Sequence, residues 1–225
     1  DALADQTIDM TTEIVVVDNG STDATAAIVK AAADPRVRLV DAAGGVGAGF
    51  ARNRGVEATE AAWIAFCDAD DVVADGWLAA VADALAEHPF VTGPLDTSRL
   101  NADWVAASRG TAIASGQPTF EGVFPIASSC NMAIHRSLFD EHGGFDEAFR
   151  IGQDSELSLR LWEAGVTLRF EPAMRVHYRY RPTMAAVFSQ ARRFGRAQVA
   201  IERRIAELEA PPSRGRALRR FAWLM

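Results

Sequence analysis

Cysteine is scarce in this chain of 225 residues, with only Cys67 and Cys130 present. The two follow no metal-ligand spacing, and both sit in apolar, strand-like runs. Buried free thiols are the expectation, which fits a reducing cytoplasm. No apolar run approaches the length that spans a membrane, and no signal-peptide pattern opens the chain. Internal repeats and low-complexity segments are absent as well. So is a nucleotide-cradling loop of either common kind. Gly44 and Gly49 have the Walker spacing, but Phe50 stands where a Lys is required, and the G-x-G-x-x-G pattern does not occur there. Residues 44–49 are left as a flexible, close-approach loop.

What is present is ordinary for a folded protein, with 49% hydrophobic and 24% charged residues. The length suits one large domain or a domain with an extension. The net charge of −7 is unevenly spread, because residues 183–225 hold nine Arg against three Glu. The body is acidic and the tail basic, unlike a nucleic-acid binder, so no nucleic-acid partner is expected. The division expected is a domain over 1–182 and a basic amphipathic helical extension over 183–225.

The stretch Ala62–Asp71 organises the rest. It starts as an apolar run with the character of a strand and ends by delivering Asp68, Asp70 and Asp71. Unpaired charges cannot stay in a sheet interior, so the strand must end there, where a cation can meet them. If the chain stays extended, Asp68 and Asp70 point the same way. Two hard oxygen ligands suit Mg²⁺ or Mn²⁺, which usually completes its shell with substrate phosphates. The competing reading is a solvated acidic turn.

Strand and helix signals alternate around that stretch. Glu13–Val17 reads as a buried strand ending in the polar turn Asp18–Asp23, with Ser21 placed to cap a helix over roughly 22–33. Ligands of open α/β sheets sit at such strand ends, although Asp18 and Asn19 also serve as plain turn formers. After a second strand at Val37–Val40, a helix starts near Ala51, and Arg52 or Arg54 at its beginning could hold a diphosphate bidentately. Asp75 is placed to cap a helix whose core face is Leu78, Val81, Ala82 and Leu85. Residues 96–124 are irregular, the kind of segment where substrate choice resides. Ala127–His135 reads as a strand, and Gly143–Asp146 as a turn bearing an exposed Phe145. Asp154 opens a helix with Leu157 and Leu161 inward and Gly165 at its end, where an N-cap role is the simple alternative. His177 ends a short strand, as a structural residue or as a ligand. Thr183–Leu208 reads as a long helix with an imperfect apolar stripe set among arginines. It packs on its own domain or lies on an anionic membrane surface.

Together the segments Glu13–Asp23, Ala51–Gly55, Phe66–Asp71, Asn131–Asp146 and Asp154–Gly165 resemble, in order and spacing, the inverting family 2 glycosyltransferases. That resemblance implies a GT-A fold, a Rossmann-like mixed α/β sheet flanked by helices. It implies that Asp18, Asn19 and Ser21 meet the base and ribose, and that Arg52 lies near the phosphates. The DxD signature, Asp68-Ala69-Asp70, would serve donor and metal, with Asp70 as direct ligand and His177 joining the metal shell. Asp154 resembles the family's catalytic base. Gln153 replaces the Glu that usually precedes it, and Gly144, Phe145, Asp146 and Gln153 would lie on the acceptor side. The family opens with an apolar central strand not found here. The expectation is a chain lacking that strand, with neighbouring strand edges exposed.

The function implied is metal-dependent, inverting transfer of a sugar from a nucleotide-diphosphate donor to a glycan, lipid-linked or other hydroxyl acceptor in cell-envelope synthesis. Mn²⁺ or Mg²⁺ would be the cofactor. The location expected is cytoplasmic, with peripheral contact at the inner face of the plasma membrane. A nucleotidyltransferase and a non-catalytic nucleotide-sugar binding or scaffold domain are the alternatives.

Overall fold

The computed structural model describes residues 2–109, 116–181 and 183–208; the basic segment 214–225 lies outside them. In chain order the elements are β1 (Ile14–Asp18), α1 (Thr25–Lys30), β2 (Val37–Asp41), α2 (Ala48–Glu57), β3 (Trp63–Cys67), β4 (Val72–Val73), α3 (Trp77–Glu87), β5 (Phe90–Thr92), β6 (Leu95–Asp96), α4 (Asp103–Arg109), β7 (Thr119–Phe120), β8 (Phe124–Pro125), β9 (Asn131–His135), α5 (Arg136–Glu141), α6 (Gln153–Glu163), β10 (Arg169–Phe170), β11 (Val176–His177) and α7 (Met184–Leu208).

A four-stranded mixed sheet in the order β10-β5-β9-β3 forms the centre. β9 runs antiparallel to β3 and β5, while β10 joins β5 in parallel. Strand side chains alternate between faces, so β9 feeds two cores. Met132 and Ile134 join Ile64, Phe66, Phe139, Leu157 and Leu161 on the α5–α6 side. Ala133 joins Val91, Trp77, Val81 and Leu85 on the α3 side. The buried face of α3 is turned slightly from the expected one, so that Trp77, Ala80 and Ala84 are buried and Leu78 and Ala82 only half-buried. Trp77 anchors that rotation by donating its Nε1–H to Asn131 Oδ1 at 2.9 Å.

A smaller sheet, β4-β11-β6, sets the end of β11 beside the chain leaving β3. β1 and β2 form a parallel pair of their own, and among the described residues neither bonds to the central sheet. Among the described residues, β1 and β3 each keep one unpaired edge. β1 is accordingly half-buried along its whole length, not buried.

Two expected caps are not formed. The α1 N-cap is Ala24 and the α3 N-cap is Gly76, neither with a side-chain cap bond. Near α1 the turn closes on itself: Ser21 N–H donates to Asp18 Oδ1, and Asp23 Oδ1 accepts from Thr25 N–H. The helix therefore starts later than Ser21 would place it. α6 begins after Gly152, whose φ of +76° suits glycine. It ends as predicted, with Gly165 at C′ and Val166 N–H returning to the Leu161 carbonyl at 2.9 Å.

Candidate active site

Residues 68–71 do not stay extended. Asp71 N–H donates to the Asp68 carbonyl at 3.1 Å and closes a turn. Alternation fails in a turn, so Asp68 converges with Asp71 and not with Asp70. The strand register Cys67↔Asn131 then brings up Cys130, the residue before β9. Asp68, Asp71 and Cys130 each place one ligand atom within 4.8 Å of the others. The Asp70 carboxylate is half-exposed and lies 3.6 Å from the Arg181 guanidinium. Arg179 clamps the turn, donating its N–H to Asp71 Oδ1 at 2.8 Å and its Nε–H to the Asp70 carbonyl at 3.0 Å.

The electrostatics follow from burial. Asp71 Oδ2 is buried with no hydrogen-bond partner among the described residues. Burial pushes the Asp71 carboxyl up to about 7; Asp70 and Asp68 add repulsion, and Arg179 opposes them. Burial also pushes the Cys67 thiol up to about 12, helped by Asp71, Asp68 and Asp70. The Cys130 thiol is raised by burial and then by Asp68, Asp71 and Asp154, with Arg52 opposing. Both thiols stay protonated and are poor cation ligands. The oxygens of 68–71 are the donors that suit a hard divalent cation, and the orphaned Asp71 Oδ2 leaves one of them open.

Arg52 projects from α2 and pairs with Asp68. Its guanidinium carbon lies 5.7 Å from the Phe145 ring centroid, and its Nη1 is buried without a partner among the described residues. Phe145 is therefore not the exposed aromatic expected of its turn; it is 1% exposed. Gly143 and Gly144, with φ of +73° and +65°, fold the chain back. The ring drops against Phe66 and Phe139, with centroids at 5.3 and 5.5 Å.

Asp154 lies in the first turn of α6, two residues beyond the N-cap Gly152. Its Oδ2 accepts from Ser129 N–H at 3.3 Å and from Ser129 Oγ at 3.4 Å. Asp154, Ser129, Cys130, Asp68 and Asp71 thus form one contiguous patch. Gln153 is buried there beside Gly49, and its Oε1 has no partner among the described residues. Asp146 is exposed and lines, with Gly144 and Phe145, a cavity that none of Asp68, Asp71 and Asp154 lines.

The remaining expected residues are placed as follows. Asp18 accepts from Ser21 N–H at 2.8 Å, and its hydrogen bonds to Ser21 hold its carboxyl below the usual range. Asn19 spends its side chain on the glycine loop. It donates to the Ala42 and Gly45 carbonyls at 2.6 and 2.9 Å and accepts from Gly47 N–H at 3.0 Å. His177 lies outside the 4.8 Å group. Its Nδ1 is 3.0 Å from Asp96 Oδ2, and Nε2 has no partner among the described residues. A carboxylate behind one ring nitrogen is the usual support of a metal-ligating histidine. A cavity of about 640 Å³ is lined instead by Arg54, Arg136, Glu156, Arg160 and Arg204 among others, and by none of Arg52, Asp68, Asp71 or Asp154. Its buried Glu156 is already paired with Arg160 and Arg204.

Ser129, Cys130 and Arg179 are site neighbours that the sequence did not single out, and Asp71 was named with Asp68 and Asp70 but not as the partner of Asp68. Asp71 had a local signal, its i, i+3 relation to Asp68. The other three arrive only through strand pairing.

The profile described as Glycosyl transferase family 2 matches residues 1–143. The succinoglycan biosynthesis protein ExoO of Rhizobium meliloti (strain 1021) is 34% identical over 186 residues, covering 76% of this chain and 53% of ExoO. The pre-mycofactocin glycosyltransferase of Mycobacterium tuberculosis (strain CDC 1551 / Oshkosh) is 26% identical over 178 residues, covering 75% of this chain and 37% of that protein. The chain thus spans about half or less of these relatives. Two solved structures share the fold. Mannosyltransferase PcManGT from Pyrobaculum calidifontis, in complex with GDP-Man and Mn²⁺, has a TM-score of 0.56 at 24% identity, over 74% of this chain and 47% of that one. S. aureus TarS 1-349, in complex with UDP-GlcNAc, has a TM-score of 0.60 at 20% identity, over 81% and 54%. The architecture is that of GT-A glycosyltransferases, and with well over half its length matched by the profile, this chain belongs to glycosyl transferase family 2.

Proposed function

We propose that the chain carries the centre of an inverting glycosyltransferase that moves a sugar from a nucleoside-diphosphate donor to a hydroxyl acceptor. One observation carries this reading. Three buried polar atoms of different need lie without a partner among the described residues in the patch around Asp154: Asp71 Oδ2 seeks a cation, Arg52 Nη1 an anion, and Gln153 Oε1 a donor such as a hydroxyl. A metal-bound diphosphate sugar with an incoming alcohol meets all three.

Asp68, Asp70 and Asp71 would hold Mn²⁺ or Mg²⁺, with His177 Nε2 as a further candidate ligand. When bound, such a cation offsets the charge that develops on a departing diphosphate. Arg52 supplies charge-assisted hydrogen bonds to the same phosphates from a guanidinium already braced by Asp68 and Phe145. Asp154 takes the acceptor proton as the acceptor oxygen bonds to the anomeric carbon. The bond from that carbon to the diphosphate oxygen breaks, and its electron pair leaves with the diphosphate. One base and no protein nucleophile give inversion, as in inverting glycoside hydrolysis. Asp18, Asn19, Ser21 and Ala69 shape the donor's nucleoside side. Gln153, Gly144 and Asp146 shape the acceptor side above a floor made by Phe145.

The likeness to a succinoglycan biosynthesis protein supports a cell-envelope or lipid-linked glycan as acceptor, handled at the inner face of the plasma membrane. The test is a screen of nucleotide sugars with Mn²⁺ on the full-length gene product, reading nucleoside diphosphate release and the product's anomeric configuration. Release with an inverted product is the expected result. Pyrophosphate formed from a nucleoside triphosphate would make the chain a nucleotidyltransferase. Tight donor binding without turnover would make it a binding module.

A further inference from the structure

Helix α7 carries two apolar faces. One is buried, with Ile201 and Ile205 packed on Phe124 and Leu159, and Ala197 close to Gly152. The other is bare. Met184, Phe188 and Val199 are 67%, 74% and 47% exposed. With Ala191 and Gly195 between them, they follow i, i+4, i+7, i+11 and i+15, a single stripe on a helix of 3.6 residues per turn. Phe194, 50% exposed, lies on the line of the buried face, seven residues before Ile201 and eleven before Ile205.

Arginines continue around the opposite border. Arg192, Arg203 and Arg196 come next on the circumference, then Arg193. Arg193 and Arg196 line a groove of about 460 Å³ with Arg150, against Phe149, Ile151 and Ala197. None of these five arginines is paired with a carboxylate among the described residues. The sequence repeats the message, since residues 172–201 contain six Arg and no Asp or Glu in a chain that holds thirty acidic residues. A protein partner of ordinary charge would not need so one-sided a surface. Large bare apolar side chains bordered by unpaired guanidinium groups match a surface with an apolar interior and an anionic skin.

We propose that α7 lies in the headgroup layer of an anionic lipid bilayer. The Met184–Phe188–Val199 stripe enters the acyl boundary, and the Arg150–Arg193–Arg196 groove seats a lipid headgroup phosphate. Residues 148–151 of that groove lead directly into Gln153 and Asp154, so the seat also fixes which way the acceptor side faces. The placement does not depend on the transfer chemistry, and its test reads binding alone.

The full chain is floated with vesicles of phosphatidylcholine, or of phosphatidylcholine and phosphatidylglycerol, at two salt concentrations. Nucleotide binding and melting temperature confirm that each variant is folded. Binding only to the anionic vesicles, weakened by salt, is expected. Arg193→Gln with Arg196→Gln should weaken partitioning roughly 25-fold, about fivefold for each arginine. Phe188→Ser should weaken it about tenfold or more. Equal binding to neutral vesicles, or none to either, overturns the proposal. So does self-association abolished by Phe188→Ser without vesicle binding, which would make the stripe an interface between copies. Capture of inorganic phosphate by the groove without vesicle binding would reduce it to a free-anion site and overturn the proposal equally.

Discussion

The β1–β2 pair and the β5–β9–β3 sheet are built from the same kinds of residue and end up in different states. Ile14–Val17 is as β-branched as any strand in the chain, yet every residue of β1 is only half-buried, and α1 beside it buries none. Asn131–Ile134 of β9, less branched and headed by an asparagine, is fully buried. The difference is neighbours. β9 has a strand on each side and helices on both faces, whereas β1 has one strand and an open edge. Composition supplies apolar area, but burial needs something to bury it against. The proposed chemistry is divided along the same line. The carboxylates, Arg52 and Asp154 are anchored on or beside the well-packed sheet, while the nucleoside-facing turn 18–23 hangs from the looser pair.

That contrast can be broken or sharpened by substitution. Ile134→Ala, in the fully buried strand, should cost about 2–5 kcal/mol in chemical denaturation; a loss under 1 kcal/mol would erase the distinction. Asp68→Ala, at the edge of the same sheet, should lower Mn²⁺-dependent nucleotide affinity roughly a hundredfold by titration calorimetry while leaving the fold intact. Unchanged affinity would remove the turn from the metal site.

Asp71 gives a pH-dependent test. Its folded carboxyl titrates at about 7, above the ordinary 3.8, so the folded state holds an extra proton between those values. Metal-free stability therefore falls as pH rises through that window, and the penalty is complete above pH 7. Asp71→Asn should gain on the order of 1–2 kcal/mol at pH 8 and nothing near pH 4. An equal gain at both pH values would contradict the burial account. The smallest effect belongs to the loose pair. Val16→Ala should cost under about 1 kcal/mol, and β1 amides should exchange with solvent faster than those of β9.

Much of the site was legible because its motifs are local. The strand ending in Asp68, the helix opening at Asp154 and the glycine terminus of α6 all announce themselves within a few residues. What was hidden depends on geometry between segments. Alternation pairs Asp68 with Asp70 only in an extended chain, and a single backbone bond from Asp71 to Asp68 reassigns the partner. Cys130 and Ser129 enter through a strand register that pairs Cys67 with Asn131, far along the chain. Phe145 reads as a turn residue, yet two left-handed glycines aim it inward, where it supports Arg52. Asn19 reads as a nucleotide contact, and the glycine loop it pins is visible only in three dimensions.

The most direct measurement compares Asp154→Asn with the unaltered chain in one sample series, reading Mn²⁺-dependent nucleotide affinity by calorimetry and sugar transfer by product analysis. Asp154 accepts from Ser129, and among the described residues no hydrogen bond joins it to the 68–71 turn, so the expected affinity is within about twofold of the unaltered chain, with transfer lowered by roughly 10²–10⁴. Transfer at an undiminished rate would contradict Asp154 as the base.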